Sequence, residues 1–452
     1  MRRCTIISSL TSEKQMTQAG LVYLATGLAN AGYDSQLIDL SGKLSYFNPP
    51  DELYSSCDSP LWLNPDAIKY SEWMDSYIPT VDEAPEIIFF SSLFSPDVVF
   101  HARYSYNIKA VSPKTLTAIG GAALAGLRIE QLEIIRQYFD YVFIGHDVEA
   151  FLKYPINNNI ITSREGRIIN ELRPSFLTPN YSLVDLRDFV TVYSGHGCYY
   201  GKCNFCDYPA RASQEVYFKD CTKVAIELLD IYNSNPKVKD IVLTQDCYTK
   251  KKLIETTNAL LRQGGHIPYN LMLRAEPWID KEIGEMLALS GCTDVFIGAE
   301  ALDDDILQVL NKGITTENII DSIMALSKHV DITIGIILFV PMINEKSLGR
   351  QLHQIENILP YINNIEPEIL TIMNGSGFAL KASSYGITLN ATENLLNDSW
   401  CYGLSQDIPW AMIDQELAEA WFRHIDKLKE ICGDRVKKEY WEAVDNVRES
   451  NP

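Results

Sequence analysis

The amino-acid sequence predicts an α/β protein of two successive units, a doubly wound parallel sheet and then a partial β/α barrel, followed by a helical tail. Three observations carry this reading. Short apolar runs alternate with segments of helical period through the first 150 residues. The alternation fades over 151–189, which is polar and Pro-containing, and restarts at 190. The end of the chain, Met412 to Val447, keeps a helical period with many charges.

In the first unit, 1–150, strands are expected at Thr5 to Ser9, Ser35 to Leu40, Ile87 to Ser92, Thr115 to Gly120 and Tyr141 to Gly145. Helices are expected at Gln18 to Ala31, stopped by Gly32, at Val98 to Val111 and at Ile129 to Phe139. Such an alternation makes a parallel sheet whose ligand site lies at the carboxyl ends of its strands. Residues 41–85 are irregular and too long for a simple connection, so they read as an insertion. Residues 151–189 read as a linker.

In the second unit, 190–385, strands are expected at Val190 to Ser194, Asp240 to Thr244, Tyr269 to Arg274, Asp294 to Gly298, Ile332 to Val340 and Glu368 to Met373. Helices separate them at Cys221 to Asn233, Leu253 to Gln263, Lys281 to Ser290 and Glu317 to Lys328. Six such repeats fall short of a full eight-fold barrel. Residues 386–452 form the helical C-terminal region.

The formal net charge of −20 argues against nucleic-acid binding, which needs clustered Lys and Arg. The one compact basic run, Lys250 to Lys252, reads as a solvated helix start. No stretch is apolar and long enough to cross a bilayer, so no membrane partner is expected. The basic N-terminus runs into a strand-like segment rather than a long apolar one, so no signal peptide is expected either. Seven of the ten cysteines are scattered singly. That pattern suits reduced thiols, and a cytoplasmic location is expected.

The other three, Cys198, Cys203 and Cys206, crowd into nine residues just after the first strand of the second unit. Thiolates are the usual ligands of iron–sulfur clusters. Three of them leave one iron of a cubane open to chelation by an amine and a carboxylate. Gly195, Gly197 and Gly201 permit close wrapping of the backbone, and Tyr199, Tyr200 and Phe205 can shield the site. A structural zinc site is the competing reading. It needs a fourth ligand, from His196, Cys221 or farther away.

This segment resembles the radical S-adenosylmethionine (SAM) superfamily, in which a three-Cys loop follows the first barrel strand. Phe205 stands at the family's aromatic position before the last cysteine. The spacing departs from the family pattern: four residues then two, against three then two, with the extra residue expected to bulge at Gly201. Downstream, Gly298-Ala299-Glu300 resembles the family's Gly-x-Glu, and 310–317 (LNKGITTE) resembles the segment that follows it. Residues 334–341 (IGIILFVP) resemble the fifth-strand segment that lines the adenine.

The resemblance implies a 4Fe–4S cluster on the three cysteines and SAM held by Phe205, Asp246, Arg274 and Glu300, with Glu300 at the ribose. It also implies reductive cleavage of SAM, abstraction of a substrate hydrogen and an electron donor such as flavodoxin or ferredoxin. Each contact has a plainer alternative. Glu300 suits a helix N-terminus, Asp246 suits a cap for a helix near Thr249, and Arg274 suits a structural ion pair.

Residues 1–150 resemble the Rossmann-like (flavodoxin-like) cobalamin-binding domain that precedes the TIM-type (β/α)6 barrel in one subclass. The matching stretches are 19–32 (AGLVYLATGLANAG), 119–122 (IGGA) and 140–149 (DYVFIGHDVE). His146 and Asp147 depart from the subclass's Gly-Glu-x-Glu, and the cobalt-ligating Asp-x-His-x-x-Gly motif is absent. With cobalamin, the resemblance implies C-methylation of a peptide or natural-product intermediate. Without it, epimerisation, cross-linking or rearrangement stay open. A zinc-stabilised α/β binding protein without catalysis is the reading from another class.

Overall fold

The computed structural model describes residues 2–9, 16–41, 85–93, 95–125, 132–133, 135–145, 148, 152, 167–171, 177–206, 216–373, 375–389 and 410–450. Most of the 41–85 insertion, His146, Asp147, Cys57, Cys401 and residues 129–131 and 134 of the expected 129–139 helix lie outside them. The chain divides into two compact units, one made chiefly of residues 1–188 and one running from Phe189 onward.

The first unit is a parallel sheet of six strands: β1 (Arg2–Ile7), β2 (Tyr33–Ile38), β3 (Ile87–Ser91), β4 (Leu116–Gly120), β5 (Tyr141–Gly145) and β6 (Arg167–Glu171), in the order β2-β1-β3-β4-β5-β6. Helix α1 (Ala19–Asn30) links β1 to β2, α2 (Ser95–Val111) links β3 to β4, and the short α3 (Ala122–Ala125) follows β4. Strand alternation sends side chains to both faces, and both faces are buried. Ile88 and Phe90 pack with Phe100 and Tyr104 of α2 on one face. Ile87 and Phe89 pack with Leu21 and Leu28 of α1 on the other. Strand β6 was not expected. It lies in the stretch read as a linker and pairs in parallel with β5 from Tyr141↔Arg167 to Gly145↔Glu171.

The second unit holds six parallel strands in sequential order: β7 (Phe189–Tyr193), β10 (Asp240–Thr244), β11 (Tyr269–Arg274), β12 (Cys292–Glu300), β13 (Asp331–Leu338) and β14 (Asn364–Ile369). A short antiparallel ladder, β8 (Gly195–His196) with β9 (Tyr217–Phe218), brackets the cysteine loop. Helices α4 (Cys221–Ser234), α5 (Lys250–Arg262), α6 (Lys281–Ser290), α7 (Asp304–Val309), α8 (Thr316–Leu326) and α9 (Glu345–Ile358) connect the strands.

Each of these helices starts on a side-chain cap: Asp220, Thr249, Asp280, Asp303, Thr315 and Asn344 accept backbone N–H groups of their first turns. The basic run is indeed a helix start, with Lys251 85% exposed. The buried faces of β10 and β11 carry Ile241, Leu243, Leu271 and Leu273. The opposite faces carry Asp240, Val242 and Thr244 of β10 and Asn270, Met272 and Arg274 of β11, with Thr244 and Arg274 at the carboxyl ends.

Beyond a short helix α10 (Gly377–Leu380), the ladder β15 (Ile387–Leu389) with β16 (Trp410–Met412) leads into helices α11 (Gln415–Cys432) and α12 (Lys438–Ser450). The helical C-terminal region is made of these two helices, divided at Gly433, which takes a positive φ of 52°.

Candidate active site

The cysteine loop leaves β7 and is gripped at its root by the end of β10. The Gly197 N–H donates to Asp246 Oδ2 at 2.7 Å, and Gln245 Nε2 donates to the Gly197 carbonyl at 3.0 Å. Asp246 therefore orients the loop and does not cap α5, a task that falls to Thr249. Gly201 sits at φ 53° and turns its N–H onto Cys198 Sγ at 3.4 Å. The extra residue in the first gap is thus taken up in a turn at the expected place.

The far side of the loop is latched by the segment after α7. Asn204 donates its backbone N–H to Leu310 O at 2.9 Å and its side-chain amide to Val309 O at 2.7 Å. Asn311 Nδ2 returns a bond to Lys202 O at 2.6 Å, and the Tyr200 hydroxyl donates to Asn311 O at 2.7 Å. Gly313 is required here. It adopts φ +67°, and a Cβ would stand 2.3 Å from the Tyr200 hydroxyl oxygen.

The same latch delivers Lys312 to Glu300. Lys312 Nζ lies 2.7 Å from Glu300 Oε1, with side chains 9% and 17% exposed. The ammonium also faces the Phe205 ring, 5.7 Å from its centroid. Burial opposes the Lys312 charge, but the Glu300 and Cys203 charges outweigh it, and its pKa is raised. Glu300 reaches Lys312 from a register break between Gly298 and Glu300, with its own backbone at φ 63°. A bulge of this kind re-aims a side chain at a strand end. Glu300 is therefore an ion-pair partner rather than a helix-terminal carboxylate.

Arg274 ends β11. Its Nε lies 2.6 Å from Glu276 Oε1, and its guanidinium stacks 4.1 Å from the Tyr200 ring centroid. Tyr199 donates to the same Glu276 oxygen at 2.7 Å. Register puts Arg274, Gly298, Gly335 and Glu366 in one row across four strands. The two central positions carry no side chain of their own: the Glu300 carboxylate and Lys312 ammonium stand over Gly298, and the Phe296 ring over Gly335.

Two of the three thiols, Cys198 and Cys203, sit in unlike fields. Cys198 is lowered to about 6, because a hydrogen bond from Cys247 and the N–H groups of Gly201 and Tyr200 outweigh burial. Burial raises Cys203 to about 11 against the pull of Lys312 and Arg274. Among the described residues, no three His, Cys, Asp or Glu side chains crowd closely enough to share one ion. A cubane makes a different demand, one thiolate on each of three irons, and the donor set of this loop fits it.

Sequence reasoning singled out Asp246, Arg274, Glu300 and Phe205, and the structure brings all four to the cysteine loop or its latch. It missed Lys312 as the partner of Glu300, although the quoted LNKG stretch contained it.

Residues 192–353 match the model of the Radical SAM superfamily, the stretch from the end of β7 into α9. The chain carries a radical SAM domain over these residues. Its fold is more particular. The structure of the radical SAM methyltransferase TsrM from Kitasatospora setae, with cobalamin and a [4Fe–4S] cluster bound, superposes at a TM-score of 0.64, with 13% identity over 96% of this chain and 93% of that one. The cobalamin-dependent SAM radical enzyme OxsB superposes at 0.67, with 15% identity over 99% of this chain and 71% of that one. An uncharacterized methyltransferase of Pyrococcus horikoshii is 26% identical over 142 residues, 31% of this chain and 30% of that relative. The shared fold includes the Rossmann-like first unit and the helical C-terminal region. No helix among the described residues is long and apolar enough to cross a membrane.

Proposed function

We propose that this chain is a cobalamin-dependent radical SAM methyltransferase acting on a small molecule or peptide of natural-product type. One observation carries the SAM half of the reading. The cysteine loop is latched by Leu310 and Asn311, and the next residue of that latch fixes the Glu300 carboxylate. Loop and carboxylate are thereby held as one rigid piece, as preorganised binding requires.

In this reading Cys198, Cys203 and Cys206 hold the 4Fe–4S cluster. Asp246 receives the SAM amine, Arg274 its carboxylate and Glu300 its ribose hydroxyls, with Phe205 shielding the cluster. When bound, the cluster supplies the electron for reductive SAM cleavage, and cobalamin supplies the methyl carrier. The protein's own part is orientation and exclusion. The Glu276 and Lys312 partners keep Arg274 and Glu300 from swinging, and the Tyr199 and Tyr200 rings cover the loop.

The cobalamin half rests on the first unit. Its strand order reverses between β1 and β3, the place where doubly wound sheets take ligands. The floor there is small: Ser8, Ser9 and Ser92 at the ends of β1 and β3, with Gly120 and Gly121 beside them. Their hydroxyls are tied down by Asp39, Asp97 and His101. A level floor of short side chains suits a wide, flat macrocycle. The two cobalamin-dependent structures of the same fold support the assignment.

Anaerobic reconstitution with iron and sulfide, followed by SAM and a reductant, tests the reading. Brown protein that releases 5′-deoxyadenosine, and a colourless Cys198→Ala variant, are expected. A colourless wild type carrying one zinc would overturn it. Corrinoid recovered from cells grown with cobalamin supports methyl transfer. SAM cleavage by corrinoid-free protein would turn the reading to epimerisation, cross-linking or rearrangement.

A further inference from the structure

Six parallel strands do not close a barrel. Among the described residues β7 and β14, the first and the last of the six, are not paired with each other, so a seam is left between them. Asn204 spans it at the carboxyl ends. It occupies the turn that carries Cys203 and Cys206, which the Cys206 N–H closes on the Cys203 carbonyl at 3.3 Å. Beyond its bonds to the segment after α7, Asn204 holds the segment after β14. Its carbonyl accepts the Phe378 N–H at 2.9 Å. One amide proton goes to Val309, and the other goes to the Tyr385 hydroxyl at 2.9 Å. Gly377 is pressed against the same side chain: a Cβ there would stand 2.6 Å from Asn204 Oδ1. Phe378 is fully buried and meets the Tyr385 ring edge-on, 4.9 Å between centroids. The two groups that grip Asn204 are thus packed on each other.

We infer that Asn204 is a positioning residue that clasps the barrel's seam at the cysteine loop, so that the loop and residues 376–385 become ordered together. The inference rests on the reading of this loop as the cluster site. The 203–206 turn cannot shift without pulling on Phe378 and Tyr385. Two sites that share one ordered element are coupled, and the coupling is equal in both directions. Metal held by the thiols therefore steadies residues 376–385, and loosening that segment weakens the hold on metal.

Hydrogen exchange read by mass spectrometry tests the clasp on the full chain, before and after anaerobic reconstitution with iron and sulfide. Reconstitution should slow exchange across 376–386. Asn204→Ala removes both amide donors, and Tyr385→Phe removes only the hydroxyl. Each should quicken that exchange by about fivefold or more, with the β10 and β11 peptides unchanged. Tyr385 lies outside the cysteine loop, so Tyr385→Phe separates coupling from damage to the loop itself. Its iron should pass to a ferrous chelator faster than that of wild type. Exchange at 376–386 that is unchanged in Asn204→Ala, or quickened equally in β10 and β11, would overturn the proposal. Iron release at the wild-type rate in Tyr385→Phe would also overturn it. A wild type that takes up no iron would sink the cluster reading, while exchange in the two variants would still decide the clasp.

Discussion

At the scale of single residues, the site is a set of pairs that spend most of each other's charge. Glu300 and Lys312 show what this costs and secures. Both are largely buried, so losing one partner leaves a charge in a poor solvent. Lys312→Met is expected to destabilise the second unit by about 3–5 kcal/mol. Adding Glu300→Leu should restore most of that loss, because the stranded carboxylate is gone. Denaturant titration of the two variants checks this, and equal losses would rule out the pair as the cause. The sequence made Glu300 legible through its Gly-x-Glu setting but left Lys312 without a role. Twelve positions separate them, and only the register break at the end of β12 aims one at the other.

At the scale of elements, the reading succeeded where apolar period and turn signals agreed, as at β5, β10, β11 and α6, whose bounds match the expected ones. It missed β6 and misplaced β14, and both are outermost in their sheets as ordered here. Edge strands escape the demand for a continuous apolar run. Strand β6 reads Arg-Ile-Ile-Asn-Glu, a charged segment that passes for a linker. Strand β14 contains Pro367, which sheets tolerate at an edge, and the apolar run beyond it drew the expected strand four residues too late.

The same scale explains why the tail matters. Trp421 of α11 is fully buried, and its Nε1 donates to Val340 O at 3.0 Å, just past the end of β13. Trp421→Phe should cost about 1–3 kcal/mol by orphaning that carbonyl, and Trp421→Ala about 3–5 kcal/mol by also leaving a cavity. Hydrogen exchange should quicken first around Phe339 to Pro341. Faster exchange confined to α11 would mean the helix does not support the strand end.

At the scale of the whole molecule, each unit carries, among the described residues, one buried histidine kept neutral by its surroundings. In the first, burial lowers His101 to about 4, with the Asp97 charge only partly opposing it. Its ring nitrogens bond Ser92 Oγ and Ser8 O at 2.8 and 3.2 Å, which ties the ends of β1 and β3 together. In the second, burial and then the Lys427 charge lower His424 to about 4. Gln351 of α9 spans from the Leu302 N–H to His424 Nε2, joining α9 to α11. An unfolded histidine takes its proton near pH 6.5, whereas these two take it only near 4. Between those values the unfolded chain binds more protons than the folded one, so stability is lost as pH falls through 6.5 towards 4. Each histidine should account for about 3 kcal/mol of that loss. His101→Gln should flatten the acid limb for the first unit and leave the second unchanged, and His424→Gln should do the reverse. Hydrogen exchange at pH 7 and pH 4.5, read separately on peptides of each sheet, distinguishes the two. An acid limb unchanged in both variants would move the cause from the buried imidazoles to the carboxylates, which the chain carries in excess.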